Sequence, residues 1–145
     1  MGIEALSRGA AEVVFIEKHP PAATLIRRNL DALGVHSGFT VLAADALRGL
    51  DMLAAKCGRT GPAFDFIFFD PPYAAAEDYA RVLRFLGSAD LLASDGIVVV
   101  EHRRNFDLPD EVGVLCRVRI LRQGDAALSF FRTVPAANKD AGAAE

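Results

Sequence analysis

The sequence predicts an α/β fold: a mostly parallel sheet with helices on both faces and one antiparallel edge. Short apolar runs rich in Val, Ile and Phe alternate with segments of helical periodicity through most of the chain. The C-terminal part then changes to two longer strand-like runs around a turn at Gln123–Asp125. The 145 residues are enough for one domain with a buried core.

The first half of the chain alternates between helix and strand. Its predicted elements are a helix over 2–8 ended by Gly9, a strand over 12–17, a helix over 19–34, a strand over 39–45 and a helix over 46–57. Pro20 and Pro21 suit the first turn of the second helix, where backbone N–H groups have no helical partner. The apolar residues at helical spacing in that helix are Leu25, Ile26, Leu30 and Leu33.

The second half begins with a strand over 64–69, whose sequence FDFIFF is too uniformly apolar for a solvent-facing side. A helix over 75–87 follows, with an apolar side formed by Tyr79, Val82, Leu83 and Leu86. We expect a short helix over 91–96, a buried strand over 97–102 and two hairpin strands within 112–133. A loop covers 58–62, and the polar segment 135–145 is expected to be a disordered tail, so the domain occupies 1–134.

Composition narrows the class of protein. No apolar run approaches the ~20 residues needed to span a bilayer, and no signal peptide is recognisable, so we expect a cytoplasmic protein without a membrane partner. Cys57 and Cys116 stand alone, which favours reduced thiols over a metal or disulfide role. The three histidines show no catalytic-triad or metal spacing, and we predict no metal site.

Charge argues against a protein that binds nucleic acid over its whole surface, because the net charge is −3. A local basic face remains compatible with the sequence, since arginines cluster at 27–28, at 103–104 and within 117–122. Taken singly, each cluster is more ordinary as solvated charge on a helix or strand.

Each predicted strand of the α/β part ends at an acid: Glu17, Asp45, Asp70 and Glu101. A helix cap or a solvated turn residue would explain any one of them. In parallel sheets, however, ligands bind beyond the carboxyl ends of the strands, where four carboxylates would repel one another unless they were used. The pair Glu101–His102 is a further candidate for lining a substrate cleft, although rim or surface histidines are the more ordinary explanation.

Glu17 has a specific interpretation. An acid that ends the second strand of a nucleotide-binding βαβ unit hydrogen-bonds ribose hydroxyls, ~20 residues after a glycine-rich loop. Counting back from Glu17 passes Met1 before such a loop is reached. We therefore expect the sequence to begin inside the first helix of the unit, with the first strand and its glycine loop missing.

The most specific motif is Asp-Pro-Pro-Tyr at 70–73, directly after the third strand. Pro71 and Pro72 fix the backbone, so that the Asp70 carboxylate and the Pro71 carbonyl are held at the strand tip as two acceptors. Tyr73 offers a flat face beside them. Two fixed acceptors next to an aromatic ring suit the exocyclic amine of a flipped, stacked base. Hydrogen bonds from that amine would favour the pyramidal nitrogen needed to attack a methyl donor. An ordinary Asp-Pro-Pro turn is the alternative.

With these residues in view, the chain resembles the RsmD-type methyltransferases, which use S-adenosylmethionine to methylate N2 of a guanine in 16S ribosomal RNA. The resemblance covers most of residues 2–133. It is carried by GIEALSRGA, FIEKHPPAATLIRRNL, AADAL, FDFIFFDPPY and GDAALSFFR. DPPY alone would indicate amino-group methyltransferases in general, whereas the combination with the flanking segments is narrower.

The resemblance implies a Rossmann-like methyltransferase fold with a C-terminal antiparallel hairpin. It implies that Glu17 and Lys18 hold the donor's ribose and that Asp45 and Ala46 contact its adenine. Asp70 would serve both cofactor and substrate, with Pro71, Pro72 and Tyr73 completing the catalytic motif. Family members carry a basic stretch, a strand and a D-x-F-x-G-x-G loop ahead of the segment that matches Gly2, so the sequence is expected to be an N-terminally truncated member. The implied partner is 16S rRNA or the assembling small ribosomal subunit, bound by a monomer.

Three alternatives remain open from the sequence. One is an amino-methyltransferase that acts on DNA adenine, another RNA or a protein amide. The second is a nicotinamide-type oxidoreductase that uses Glu17 for ribose but has no need of Asp-Pro-Pro-Tyr. The third is a non-catalytic fragment that binds no donor.

Overall fold

The computed structural model describes residues 1–57 and 64–134 of the chain. They divide into two compact units, Met1–Leu53 and Ala54–Glu145, and each is described by itself. The predicted loop over 58–62 and the predicted tail over 135–145 lie outside the described residues. Within the described part of the chain, no helix is long and apolar enough to cross a membrane.

The N-terminal unit contains a two-stranded parallel sheet and helices. Its elements are α1 (Gly2–Ser7), β1 (Val13–Ile16), α2 (Pro20–Ala32), β2 (Phe39–Leu42) and the start of α3 (Ala46–Cys57). Gly9 and Gly34 follow α1 and α2 with φ of +97° and +71°, a left-handed conformation that glycine adopts without strain. The predicted elements of this unit are therefore confirmed, with ends shifted by a few residues.

Burial in this unit is less complete than the sequence pattern predicts. Every residue of β1 is only half-buried, although its sequence is uniformly apolar. In α2, Leu30 is fully buried and Leu25 is 54% exposed, and Leu33, directly after the helix, is 63% exposed. Helical spacing identifies which residues share a face, but the depth of burial depends on what covers that face.

The C-terminal unit is built on a five-stranded mixed sheet. Its elements are β3 (Phe64–Phe69), α4 (Ala76–Leu86), β4 (Leu92–Arg103), β5 (Glu111–Val112), β6 (Leu115–Gln123) and β7 (Ala126–Thr133). The spatial order is β3-β4-β7-β6-β5; β3 and β4 are parallel and the other pairs are antiparallel. The predicted hairpin is confirmed as β6–β7. The core residues include Tyr79, Val82, Leu83, Leu86, Val98, Val100, Leu115 and Phe131.

Two details of this unit contradict the sequence prediction. Residues 92–96 form the start of β4 rather than a short helix, because Leu92 pairs with Phe64 ahead of a register shift. The strand β3 is also partly exposed to solvent: Asp65 is exposed and Phe66 is 50% exposed. Among the described residues, β3 pairs only with β4 and so is an edge strand, which explains how an apolar strand can remain partly open.

Candidate active site

In the N-terminal unit, the strand ends bring Glu17 and Asp45 to the same edge. The strands β1 and β2 are parallel with Ile16 opposite Leu42, and the Glu17 backbone N–H donates to the Leu42 carbonyl at 3.0 Å. The acids that follow both strands therefore lie at the carboxyl end of this sheet, as the sequence predicted. Lys18 is exposed beside Glu17.

The two carboxylates of this edge are oriented by local backbone. Oε1 of Glu17 accepts the backbone N–H of His19 at 2.8 Å, which holds the side chain over the turn before α2. Oδ1 of Asp45 accepts the backbone N–H of Arg48 at 3.0 Å, the geometry of a helix N-cap for α3. Capping thus accounts for Asp45 without a ligand, while Ala46, the first residue of α3, is half-buried beside it. Within the described residues, the other oxygen of each carboxylate has no hydrogen-bond donor.

In the C-terminal unit, Asp70 directly follows the last residue of β3. Phe69 pairs with Val100 in the parallel ladder, so Asp70, which follows β3, lies next to Glu101, which is still part of β4 and pairs with Leu128 of β7. This is the placement that the sequence predicted for Asp70, whereas Glu101, predicted to end its strand, lies inside β4, which continues to Arg103. Asp70 is exposed, whereas Glu101 is half-buried.

The two prolines after Asp70 give the motif a rigid base. Pro71 is buried and Pro72 is exposed, and the Pro72 carbonyl accepts the Ala75 N–H at 2.9 Å, closing a turn ahead of α4. No donor among residues 1–57 and 64–134 hydrogen-bonds the Asp70 carboxylate or the Pro71 carbonyl. Both predicted acceptors are therefore unoccupied by the described part of the chain.

Desolvation distinguishes Asp70 from an ordinary surface aspartate. The residue is exposed overall, but the strand tip removes part of the hydration of its carboxylate, and this raises the pKa of Asp70. A carboxylate with a raised pKa holds a proton more readily and is a stronger hydrogen-bond acceptor. Such a shift is common at functional sites.

The side chain of Tyr79, in α4, contacts both β3 and β4 near the motif. Its ring packs edge-on against Phe69, with centroids 5.9 Å apart and planes at 75°, and lies 4.7 Å from the ring of Phe106. Its hydroxyl donates to the Glu101 carbonyl at 3.2 Å. Burial raises the pKa of Tyr79, and the negative charge of Asp70 adds to the effect. The motif therefore lies next to a cluster of packed aromatic side chains.

Tyr73, the last residue of the motif, is 40% exposed and carries a cation on its ring. The guanidinium carbon of Arg103 lies 5.2 Å from the ring centroid, within the range of a cation–π contact. In the sequence, Arg103 stands out only as part of a basic cluster. No local signal joins the two residues, because 29 positions separate them and the parallel pairing of β3 with β4 brings them together.

The sequence made His102 a candidate for lining a substrate cleft. In the structure this histidine does not line a cleft, because it is fully buried. Its Nδ1 lies 2.8 Å from the Arg103 carbonyl and its Nε2 lies 2.8 Å from Oγ of Ser129. Because a carbonyl oxygen can only accept, Nδ1 carries the proton and Nε2 accepts from the Ser129 hydroxyl. Burial lowers the pKa of His102, so the ring is neutral. The more ordinary explanation from the sequence, a rim or surface histidine, is also wrong, because His102 is a core histidine with both ring nitrogens hydrogen-bonded.

Arg117 connects this buried pair to Asp110, whose side chain is exposed. Arg117 donates to Oγ of Ser129 at 3.5 Å, and the same guanidinium forms an ion pair with Asp110. Cys116 is a free thiol. No group of three or more potential metal ligands occurs in the part of the chain that the structure describes.

Comparison with known proteins places this arrangement in context. The family model described as "Conserved hypothetical protein 95" matches residues 1–132. A Bacillus subtilis protein named "Putative rRNA methyltransferase YlbH" is 33% identical over 132 residues, which cover 91% of this chain and 69% of that protein.

Solved structures show the same fold. A conserved hypothetical protein of Streptococcus pyogenes is 29% identical and superposes with a TM-score of 0.77, covering 91% of this chain and 78% of that one. The Escherichia coli protein described as "Putative methyltransferase yhhF" gives a TM-score of 0.76 at 24% identity, over 93% of this chain and 72% of that one. At that identity the second likeness concerns the fold alone, which is the Rossmann-like methyltransferase fold that the sequence predicted.

Proposed function

Because this chain belongs to the family described as "Conserved hypothetical protein 95", we propose that it is an RNA methyltransferase that uses S-adenosylmethionine. The finer proposal is methylation of the exocyclic N2 amine of a guanine in small-subunit (16S) ribosomal RNA. The observation that carries it is the motif Asp70–Tyr73 at the tip of β3. There a desolvated carboxylate and a proline carbonyl stand beside an aromatic face, with no hydrogen-bond donor from the described residues.

The task of Asp70 and Pro71 is to hold the amine. The lone pair of an exocyclic amine is delocalised into the base and attacks poorly. Two N–H donors directed at two fixed oxygens favour a pyramidal nitrogen with its lone pair free. The raised pKa of Asp70 also suits it to take the proton that the nitrogen loses after methylation. Most of the acceleration then comes from proximity and orientation.

Tyr73 supplies the stacking surface for the base. A half-exposed ring on a proline-fixed turn can receive a flipped nucleobase with little loss of side-chain entropy. Stacking on an aromatic ring is worth about 1–3 kcal/mol per base and does not depend on its identity. Stacking thus holds the base, and the acceptors select its amine.

The N-terminal unit offers groups suited to the methyl donor. Ribose hydroxyls require a fixed acceptor, and the Glu17 carboxylate, fixed through one oxygen, leaves the other without a donor in the described residues. Asp45, with Ala46 at the start of α3, would contact the adenine, and Lys18 lies next to the ribose position. These residues fit S-adenosylmethionine, which supplies an electrophilic methyl group on sulfur when bound. We further propose a monomer that acts in the cytoplasm.

A labelled-methyl transfer assay tests this function. The protein is incubated with methyl-labelled S-adenosylmethionine and unmodified small-subunit RNA, free or assembled with ribosomal proteins, and the modified nucleoside is identified by mass spectrometry. We expect N2-methylguanosine, and loss of transfer in Asp70→Ala. Transfer at the wild-type rate by Asp70→Ala would refute the assigned role. A methylated adenine, or label on DNA alone, would replace the guanine proposal with the broader amino-methyltransferase one.

Binding of the donor is tested separately. Calorimetry with S-adenosylhomocysteine should give heat with the wild-type protein and less with Glu17→Gln, because the amide lacks the charge that favours the ribose hydroxyls. Glu12→Gln is a matched control, since Glu12 is an exposed acid ahead of β1. No heat with any variant, and none with a version extended by the family's upstream strand and glycine loop, would favour the non-catalytic alternative.

A further inference from the structure

Arg103 and Tyr73 form a stacked pair at the edge where the proposed base would bind. The guanidinium carbon lies 5.2 Å from the ring centroid. In the described residues, the Arg103 guanidinium has no carboxylate partner, although the chain as a whole is acidic. Its contact with the ring is therefore not a by-product of an ion pair.

The backbone on both sides of this contact is fixed. Arg103 ends β4 and pairs with Ala126 of β7, and the next N–H, that of Arg104, donates to the Asp125 carbonyl at 2.8 Å. The Arg103 carbonyl accepts the Nδ1–H of His102, which is fully buried. Tyr73 follows two prolines that restrict its own backbone. The stack therefore joins two rigid strand tips.

We propose that Arg103 is a positioning residue for methyl transfer: it covers one face of the Tyr73 ring, so that the base stacks on the opposite face. A ring with 40% exposure and nothing above it could turn about its side-chain bonds. A planar guanidinium on one face limits that rotation and leaves one orientation for the incoming base. The inference rests on the proposed function, which supplies the base.

Substitutions at Arg103 distinguish this positioning role from simple electrostatic attraction of RNA. Arg103→Lys keeps the positive charge that a phosphate would need but loses the planar group that stacks. Arg103→Ala loses both. Arg104→Ala is the matched control, because it removes an equal, exposed charge from the adjacent residue and leaves the backbone hydrogen bond to Asp125 in place.

Tyrosine fluorescence measures the contact without RNA or donor. The chain has two tyrosines and no tryptophan. Tyr79 is 1% exposed, so quenching by neutral acrylamide reports Tyr73, and Tyr73→Phe gives the residual signal. Uncovering the second ring face should raise the quenching constant of Tyr73 up to roughly twofold in Arg103→Ala and Arg103→Lys, with no change in Arg104→Ala. Wild-type quenching in both Arg103 variants would overturn the proposal.

Methyl-transfer kinetics complete the test. We expect both Arg103 variants to lower kcat by about tenfold or more, with a smaller rise in KM for RNA, because a misplaced base binds but reacts slowly. A wild-type kcat in Arg103→Lys would show that only the positive charge of Arg103 matters. A lower KM in Arg103→Ala would show that the arginine side chain obstructs binding of the base. Either result overturns the proposal. If the wild-type protein transfers no methyl group, the proposed function fails and the base-positioning role with it. The quenching result then still decides whether Arg103 covers Tyr73.

Discussion

Replacing Ser129 by alanine is expected to destabilise the protein by about 2 kcal/mol, although the substitution removes a single oxygen. The Ser129 hydroxyl donates to Nε2 of His102 at 2.8 Å, and both side chains are fully buried. Nδ1 of the same ring is committed to the Arg103 carbonyl, so the imidazole cannot change tautomer to compensate. The substitution therefore leaves a buried acceptor without a donor.

The magnitude follows from that unsatisfied acceptor. A buried polar group deprived of its partner costs about 1–3 kcal/mol, more than the net value of an ordinary hydrogen bond. Alanine fits the space of serine, so no large cavity adds to the loss. For a chain of 145 residues, 2 kcal/mol corresponds to a fall of about 4–8 °C in the midpoint of thermal unfolding.

Urea unfolding followed by circular dichroism at pH 8 measures the effect while His102 is neutral. Ser94→Ala is the control: Ser94 is an exposed serine of β4, and its loss should change stability by less than about 0.5 kcal/mol. Combining Ser129→Ala with His102→Phe removes both partners, so the double variant should be less destabilised than the sum of the single variants by about 1–2 kcal/mol. Additive losses, or a Ser129→Ala effect no larger than that of the control, would refute the assigned hydrogen bond.

Asp70, His102 and Gly87 each give a further prediction. The rate of methyl transfer should fall as pH drops through the raised pKa of Asp70, giving an acid limb above the value of an ordinary aspartate, which pH–rate profiles of kcat will show and Asp70→Asn should remove. Because burial lowers the pKa of His102, this histidine binds a proton at higher pH in the unfolded chain than in the folded protein. The free energy of unfolding should therefore be constant above about pH 6.5 and should decline as pH falls through the lowered pKa. The decline should be weaker in His102→Phe. Gly87→Ala should cost about 1–3 kcal/mol in urea unfolding, because its Cβ would lie 2.5 Å from the Val112 carbonyl oxygen, whereas Ser88→Ala should be near neutral.

Much of the secondary structure could be predicted from local pattern. The strand Phe64–Phe69 and the helix Ala46–Cys57 have the bounds that their apolar periodicity indicates. Tyr79, Val82, Leu83 and Leu86 of α4 are buried together, as their helical spacing implies. In each case the information lies within a dozen residues, because the period of the pattern is that of the element.

The errors concern features that depend on distant partners. Residues 91–96 have no strong helical or strand period, and a strand forms there because β3 offers a parallel edge next to Leu92. The exposure of Phe66 likewise depends on which strands flank β3, which its own sequence does not encode. The short strand Glu111–Val112 exists only through its pairing with β6 and was not predicted.

The candidate site likewise contains some features that local sequence determines and others that depend on distant residues. The acceptors of the motif could be predicted because prolines fix the backbone at Asp70 and Pro71 by covalent geometry, without help from the rest of the fold. The ring of Tyr73 is different: two rotatable side-chain bonds remain after the backbone is fixed, and only a tertiary contact can limit them. The structure provides that contact from Arg103, at a strand end placed by the pairing of β3 with β4. Under the proposed function, the acceptors for the amine are therefore fixed locally by the chain, whereas orientation of the base depends on how the sheet is assembled.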